Sequence, residues 1–323
     1  MTFSNVVVIE SPFYVGYSYS TARGNYTDDD ITADENYAAF KDFFQRHSRF
    51  RNHSIYLSGE RYAGVYVPML SKRILDGQED FPVKLEGLAI GNGYVNEKLD
   101  NNTLIEFFHG HGLIDETVWN QLKTNCCDGC VEGCDIYSSC RELAVDILRS
   151  IVNAKGYYRL DIIRPCAYAP AEPEYNDDSL FVNTYAKNMN HKRSNTTCYD
   201  MRGMTAYMNR MDVREVFHIR ETFDRWRVCR HTINYTYIYK DMTPFVNEAI
   251  KHGVRVFLFY GDTDAVKQRK QAWHYKDQIA GYKTSYEKGL TFATVSGVGH
   301  MAVEWKPAEL AYAMKQFINN EPI

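Results

Sequence analysis

Segments with the apolar pattern of β-strands alternate with helical patterns at both ends of the chain, and this alternation restricts the fold more than any other feature. Strands are predicted at residues 6–10, 54–58, 85–91, 254–260 and 291–295. Helices are predicted at residues 33–48, 62–75, near 268–280 and at 307–319, the first after a capping box of Thr32 and Glu35. Such alternation is typical of a mostly parallel sheet with helices on both faces, so the predicted fold class is α/β.

The middle of the chain interrupts this alternation. From about residue 96 to residue 251 the sequence is polar and rich in cysteine, with helical pieces but no regular strand pattern. We therefore predict three parts: residues 1–95 as the N-terminal part of the sheet domain, 96–251 as an inserted cap, and 252–323 as the C-terminal part of the sheet domain. The cap would cover the carboxyl edge of the sheet, where open α/β sheets bind ligands.

The eight cysteines favour disulfide bonds over a metal site. Five of them fall within NCCDGCVEGCDIYSSC, residues 125–140. A metal site built on Cys127 and Cys130 is the alternative, but zinc sites usually add a second such pair or two histidines, and the sequence has neither. We predict no metal, and we expect the five cysteines to pair with one another and with Cys166, Cys198 or Cys229.

Five Asn-x-Ser/Thr sequences, the acceptor pattern for N-glycans, indicate the secretory pathway, where disulfides are stable. They begin at Asn25, Asn52, Asn101, Asn195 and Asn234. The first residues, MTFSNVVVIESP, nevertheless lack the basic region, apolar core and cleavage site of a signal peptide. We therefore expect the sequence to be a fragment or an incomplete gene model that lacks the first strands of its sheet. An exposed sheet edge and unburied apolar surface would follow.

Charge and hydropathy exclude two classes of partner. The net charge of −4 over 323 residues is near neutral, so nothing indicates nucleic acid or an anionic membrane surface as a partner. The longest apolar runs, such as residues 256–260, are too short to span a bilayer.

Three short motifs follow predicted strands and could carry chemistry. They are Glu60-Arg61-Tyr62 in SGERYAG, Asp262-Thr-Asp264, and His300 in GVGHM. A strand, a glycine turn and a helix form the elbow on which α/β-hydrolases hold a nucleophile, and the order elbow, acid, histidine is that of their triad. Each motif also has a structural explanation, because aspartates are common in turns and an exposed arginine is an ordinary surface charge.

Several segments resemble the serine carboxypeptidase family, in its cathepsin A-like lysosomal and secreted branch. They are IESPFYVGYSYS (9–20), SGERYAGVYVPML (58–70), LEGLAIGNGYVN (85–96), YMNRMDVREVFHI (207–219), FYGDTDAV (259–266) and VSGVGHMA (295–302). The matches run in order from the first residues to the last. The resemblance implies an α/β-hydrolase fold and, as the family reaction, release of C-terminal amino acids from peptides without a cofactor.

The resemblance also implies roles for four residues. Asp264 would be the triad acid and His300 the general base. Glu60 would bind the substrate's C-terminal carboxylate as a protonated acid, and Tyr62 would donate a backbone N–H to the oxyanion. A peptide or protein C-terminus is thus the expected ligand, and the resemblance allows a homodimer.

The sequence departs from the family at two points. Arg61 occupies the position of the nucleophilic serine, and a guanidinium has no attacking atom at any relevant pH. The family's Asn-Gly-Gly-Pro-Gly-Cys-Ser-Ser run, which supplies a second oxyanion donor, is not in the sequence, and one such donor is worth about 10²–10³ in rate. Three hypotheses remain: a non-catalytic homologue, an active carboxypeptidase or acyltransferase whose sequence is truncated or in error at residue 61, and a structural domain of a larger secreted protein.

Overall fold

A computed structural model describes residues 3–20, 24, 26–129, 134–152, 202–221, 223–228, 233–263 and 271–323. Its strands are β1 (Tyr26–Asp28), β2 (Ser54–Glu60), β3 (Lys84–Gly91), β4 (Asn234–Thr236), β5 (Arg255–Gly261), β6 (Gln271–Tyr275), β7 (Gln278–Ser285) and β8 (Leu290–Val295). Its helices are α1 (Asp29–Arg46), α2 (Ala63–Asp76), α3 (Glu97–Gly110), α4 (Glu116–Cys126), α5 (Ile136–Ser139), α6 (Arg141–Val152), α7 (Arg202–Met208), α8 (Met211–Val216), α9 (Thr243–Lys251), α10 (Ala302–Trp305) and α11 (Pro307–Asn319).

The main sheet has the strand order β2-β3-β5-β8-β7-β6. The first four strands are parallel, with Leu88 of β3 opposite Leu57 on one side and Val256 on the other. Strands β7 and β6 continue the sheet in antiparallel pairing. The predicted α/β class with a mostly parallel sheet is therefore confirmed, and β2 forms one edge of the described sheet.

Helices cover both faces of this sheet. Because neighbouring residues of a strand point to opposite faces, β3 contributes to two cores. Leu88 packs with Val67 of α2 and Ala249 of α9. Ala89 packs on the other side with Phe317 of α11. Burial of a Leu, Val or Phe side chain stabilises the fold by about 1.5–3 kcal/mol, so packing on both faces stabilises the sheet.

The predicted helix near 268–280 is wrong, because the described residues there form the hairpin β6–β7. Lys276 and Asp277 make its two-residue turn, and both have positive φ (49° and 60°), as the tight turns that match strand twist require. Trp273 is buried and donates its indole N–H to the carbonyl of Thr294 at 2.8 Å. Residues 271–285 thus form strands because β7 pairs with β8 and β6 pairs with β7, both in antiparallel orientation.

The predicted strand at 6–10 is also wrong. Residues 4–10 have no regular secondary structure, and Val6, Val7, Val8 and Ile9 are 39 to 84% exposed. A strand needs a neighbour for its backbone hydrogen bonds, and among the described residues no strand pairs with this segment. The apolar pattern alone therefore does not form a strand.

Helix α1 begins four residues before its predicted start. The side chain of Asp28 accepts a hydrogen bond from the backbone N–H of Ile31 at 2.8 Å and caps the helix. Thr32, the predicted cap, lies buried inside α1 instead. Asp29, the first residue of the helix, is fully buried.

The chain between the adjacent strands β3 and β5 forms an insertion into the sheet, and the described residues of this insertion include the helices α3 to α8. Helices α3 to α6 share a core of their own, formed by Ile105, Trp119, Leu122, Ile136 and Ala144 with other apolar side chains. None of the helices in the described parts of the chain is long and apolar enough to cross a membrane.

Two disulfides hold this helical core together. Cys126 pairs with Cys140, and Cys127 pairs with Cys134. The prediction of disulfides within the cluster is confirmed for these four residues, and Cys127 is therefore not a metal ligand. The other cysteines, Cys130, Cys166, Cys198 and Cys229, lie outside the described residues.

Candidate active site

Arg61 lies at the apex of a tight turn between β2 and α2. Its φ of 58° is in the left-handed region, which costs a non-glycine residue about 1–2 kcal/mol. Two hydrogen bonds hold the Arg61 carbonyl, from the N–H groups of Gly64 and Tyr94, both at 2.9 Å. The Arg61 N–H donates to the carbonyl of Gly91 at 3.2 Å. The end of β3 thus fixes the turn in its strained shape, with the Arg61 side chain on the exposed side.

Two glycines allow the turn to be this compact. A Cβ at Gly59 would meet the Cβ of Ala63 at 2.3 Å, and a Cβ at Gly64 would meet the carbonyl oxygen of Tyr94 at 2.4 Å. The strand before the apex therefore packs closely on the helix after it, and that helix packs on the backbone of the segment that follows β3. This is the geometry in which hydrolases present a nucleophile above a sheet.

The loop that carries His300 is joined to the end of β5. The carboxylate of Asp262 accepts a hydrogen bond from the N–H of Gly297 at 2.6 Å. The Thr263 N–H donates to the carbonyl of Val298 at 3.1 Å. His300 is half-buried, and its Nε2 atom is shielded from solvent. Asp264 lies outside the described residues, so its position relative to His300 stays a prediction.

All the described motif residues lie at one edge of the sheet. Glu60 ends β2, Asp262 follows β5, and the loop of His300 follows β8. These strands are parallel, so their carboxyl ends face the same way. Neighbouring strands are about 4.8 Å apart, which sets the elbow about 10 Å from the end of β5. The structure therefore brings Glu60, Arg61 and Tyr62 to the edge that also carries His300.

A buried carboxylate beside the elbow was missed by the sequence analysis. Asp29 is fully buried, and one of its oxygens accepts hydrogen bonds from the hydroxyls of Tyr62 at 2.6 Å and Tyr235 at 2.7 Å. The other oxygen accepts the backbone N–H groups of Ile238 at 2.6 Å and Tyr239 at 2.9 Å. We call Asp29 and these four donors the Asp29 network. The alternating tyrosines of the NYTYIY stretch (234–239) were a signal for a partly buried segment, and Tyr235 and Tyr239 are indeed partly buried, whereas Tyr237 is 47% exposed.

The Asp29 network also changes the ionisation of its tyrosines. Burial, followed by the hydrogen bond to Asp29, raises the pKa of the Tyr62 phenol above its ordinary range. Burial raises the pKa of Tyr235 as well. Both phenols therefore stay protonated and remain hydrogen-bond donors in the folded protein. Since Tyr62 directly follows the apex, the network ties the elbow to the segment that returns from the insertion.

The ESP motif forms a closed loop before α1. The carboxylate of Glu10 accepts the N–H of Tyr17 at 2.8 Å and lies against Gly16, where a Cβ would sit 1.6 Å from a carboxylate oxygen. Gly16 also has a φ of 54°, which favours glycine. The Tyr17 hydroxyl donates to the carbonyl of Met208 in α7. This loop therefore docks on the insertion.

Comparison with known proteins gives consistent matches over the chain. A family model described as serine carboxypeptidase matches residues 1–270 and 265–320. The serine carboxypeptidase ctsa-4.1 of Caenorhabditis elegans is 30% identical over 99% of this chain and 75% of its own length. The lysosomal protective protein of Mus musculus is 27% identical over 99% of this chain and 76% of its own.

Among solved structures, Kex1(delta)p, a prohormone-processing carboxypeptidase from Saccharomyces cerevisiae, resembles the fold with a TM-score of 0.70. The match covers 96% of this chain and 73% of that chain at 17% identity. At this identity the likeness concerns the fold, and it confirms an α/β-hydrolase architecture.

Proposed function

Because the chain belongs to the serine carboxypeptidase family, we propose that it is a non-catalytic member that binds the C-terminus of a peptide or protein without cleaving it. The observation that carries this proposal is Arg61 at the apex of the elbow, where the family places its nucleophile. A guanidinium is charged at all relevant pH values and only donates hydrogen bonds. Without an attacking oxygen, a triad acid and base have no hydroxyl to activate.

The remaining parts of the site support binding rather than a collapsed structure. The elbow keeps its left-handed apex, and Glu60 and Tyr62 flank Arg61 on the carboxyl edge of the sheet. The loop of His300 is held by the bond from Gly297 to Asp262. Glu60 would contact the ligand's terminal carboxylate, the backbone N–H of Tyr62 would face the carbonyl oxygen of the ligand's last peptide bond, and Asp264 would orient His300.

We further propose that the chain works in the secretory pathway, as a secreted or lysosomal protein. The two disulfides among its described residues are stable in an oxidising compartment. One relative carries the name lysosomal protective protein. The division into a sheet domain at 1–95 and 252–323 with a cap at 96–251 is part of this proposal, and the cap would close over the bound peptide.

An active carboxypeptidase or acyltransferase with serine at residue 61 is the second candidate. The intact elbow favours it, since Gly59 and Gly64 preserve the close contacts that a nucleophile turn needs. Sequencing transcripts across codon 61 separates the two candidates, because the second requires a serine codon there.

Activity is tested with an organophosphonate probe and a blocked dipeptide, each at acidic and at neutral pH. The chain is expected neither to react with the probe nor to release C-terminal residues. Arg61→Ser is expected to gain weak labelling, and adding His300→Ala to that variant is expected to remove it. Labelling of the unaltered chain at a serine, with cleavage of the dipeptide, would show that the proposal is wrong.

Binding is tested by calorimetry with one peptide in two forms, with a free C-terminal carboxylate and with a C-terminal amide. A hydrogen bond to a charged group is worth about 1.5–3 kcal/mol, so the amide should bind roughly 10- to 100-fold more weakly. Glu60→Gln should reduce the ratio of the affinities for the two peptide forms. Asp42→Asn, a substitution at an exposed position of α1, should leave this ratio unchanged. Equal affinity for both forms would refute recognition of the carboxylate.

A further inference from the structure

We infer that Asn52 and Asn234 carry N-glycans in the folded protein and that Asn101 does not. Each of the three begins an Asn-x-Ser/Thr sequence, so the sequence alone treats them alike. A glycan is bulky and strongly hydrated, and its acceptor must lie on the surface with the hydroxyl two residues later within reach of the transferase. The structure separates the three sites by this criterion.

Asn52 meets the requirement fully. It lies in the turn between the short 3-10 helix Ser48–Phe50 and β2, and residues 52–54 are all exposed. Its partner hydroxyl, on Ser54, has a long contact of 3.4 Å with the ammonium group of Lys84. The site is at the amino end of β2, whereas Arg61 is beyond its carboxyl end. A glycan on Asn52 therefore leaves the candidate active site open.

Asn234 meets the requirement through strand alternation. It is the first residue of β4, and both Asn234 and Thr236 are exposed while Tyr235 between them turns inward to Asp29. The acceptor amide and its hydroxyl thus share the outer face of β4. A glycan there points away from the Asp29 network.

Asn101 fails the requirement in three respects. It is only 4% exposed, it lies inside helix α3, and the hydroxyl of Thr103 donates to the carbonyl of Leu99 at 2.8 Å. A sugar on this side chain would have to occupy the packed space beside α3. A chain modified there during synthesis could not complete its helical core and would be lost from the folded population.

The reaction joins two reactants by an ordinary group transfer. The amide nitrogen of the asparagine attacks the anomeric carbon of an oligosaccharide carried on a polyprenyl diphosphate. A carbon–nitrogen bond forms, the carbon–oxygen bond to the diphosphate breaks, the lipid diphosphate leaves, and the amide gives up one proton. The donor and transferase belong to the secretory pathway, so this inference rests on the proposed location of the chain and not on whether the elbow binds peptides.

The test uses the full chain, directed into the secretory pathway of cultured animal cells by a leader sequence. Asn25→Gln and Asn195→Gln form the background, which leaves three acceptor sequences. Peptide-N-glycosidase converts each glycosylated asparagine to aspartate, and peptide mass mapping of the folded, secreted fraction then reads each site. Aspartate is expected at residues 52 and 234, with unchanged asparagine at 101.

Matched variants distinguish loss of a glycan from loss of folding. Ser54→Ala and Thr236→Ala keep both asparagines but destroy their acceptor sequences, and each should remove one glycan from the intact mass. Thr103→Ala should leave the intact glycan mass unchanged. Unmodified Asn52 or Asn234 in the folded fraction, or a glycan on Asn101 there, would overturn the inference.

Discussion

Replacement of Asp29 should destabilise the protein more than any other single carboxylate substitution on α1. Asp29→Ala removes the acceptor of four hydrogen bonds, from the hydroxyls of Tyr62 and Tyr235 and the N–H groups of Ile238 and Tyr239. Asp29 is fully buried, whereas its four donors are only partly buried, so water can replace the lost acceptor only in part. The free energy of unfolding should therefore fall by their desolvation cost.

The magnitude follows from the geometry. A buried donor left without a partner costs about 1–3 kcal/mol, and four partly buried donors at the lower end of this range predict a loss of about 4 kcal/mol for Asp29→Ala. Asp29→Asn should cost less. Its amide oxygen can keep the two backbone N–H groups, while its NH₂ group faces hydroxyls that can rotate and accept. Four charge-assisted bonds then become neutral ones, which predicts a loss of about 2–3 kcal/mol.

Urea denaturation followed by circular dichroism measures both variants. Asp42→Asn is the matched control on the same helix, because Asp42 is exposed and pairs across one turn with Arg46 at 2.7 Å. An exposed pair of this kind is worth less than about 1 kcal/mol. If Asp29→Ala shifts the free energy of unfolding no more than Asp42→Asn does, the Asp29 network does not stabilise the fold.

Two further predictions concern the His300 loop and the tyrosines. Gly261→Ala should destabilise the protein by roughly 1–3 kcal/mol, because its Cβ would lie 2.2 Å from the carbonyl oxygens of Val298 and Gly299. The control Gly203→Ala, in open space on α7, should be neutral or stabilising. Equal shifts of the two variants in thermal denaturation would contradict this prediction. The raised pKa values of Tyr62 and Tyr235 predict a stabilising contribution that is complete below about pH 10 and is lost as the pH rises further, because the phenols of the unfolded chain ionise first. The free energy of unfolding should fall by about 1.4 kcal/mol per pH unit for each of the two groups. A pH titration of circular dichroism and tyrosinate absorbance should show this loss reduced in the double variant Tyr62→Phe/Tyr235→Phe, and an unchanged alkaline midpoint would argue against it.

The sequence alone was sufficient for the central elements of the fold. Strands β3, β5 and β8 lie within one residue of their predicted bounds, and α11 begins and ends where predicted. These segments are apolar on both faces or strongly periodic, so their structure depends on patterns that repeat over a few residues. The elbow was also predictable, because the two glycines around Arg61 permit close contacts that no other residue allows.

Tertiary structure decided the features that depend on distant partners. Residues 6–10 have the composition of a strand, but no described strand lies beside them, and 271–285 forms a hairpin because β8 offers a free edge to β7. The same holds for polar groups: Asp29 is an acidic residue in a run of three, and only the return of the 234–239 segment makes it a buried acceptor. Asn52 and Asn101 belong to identical sequence patterns, yet one lies on a turn and the other inside a helical core. Burial and pairing are properties of positions in space, and a pattern of neighbours along the chain does not contain them.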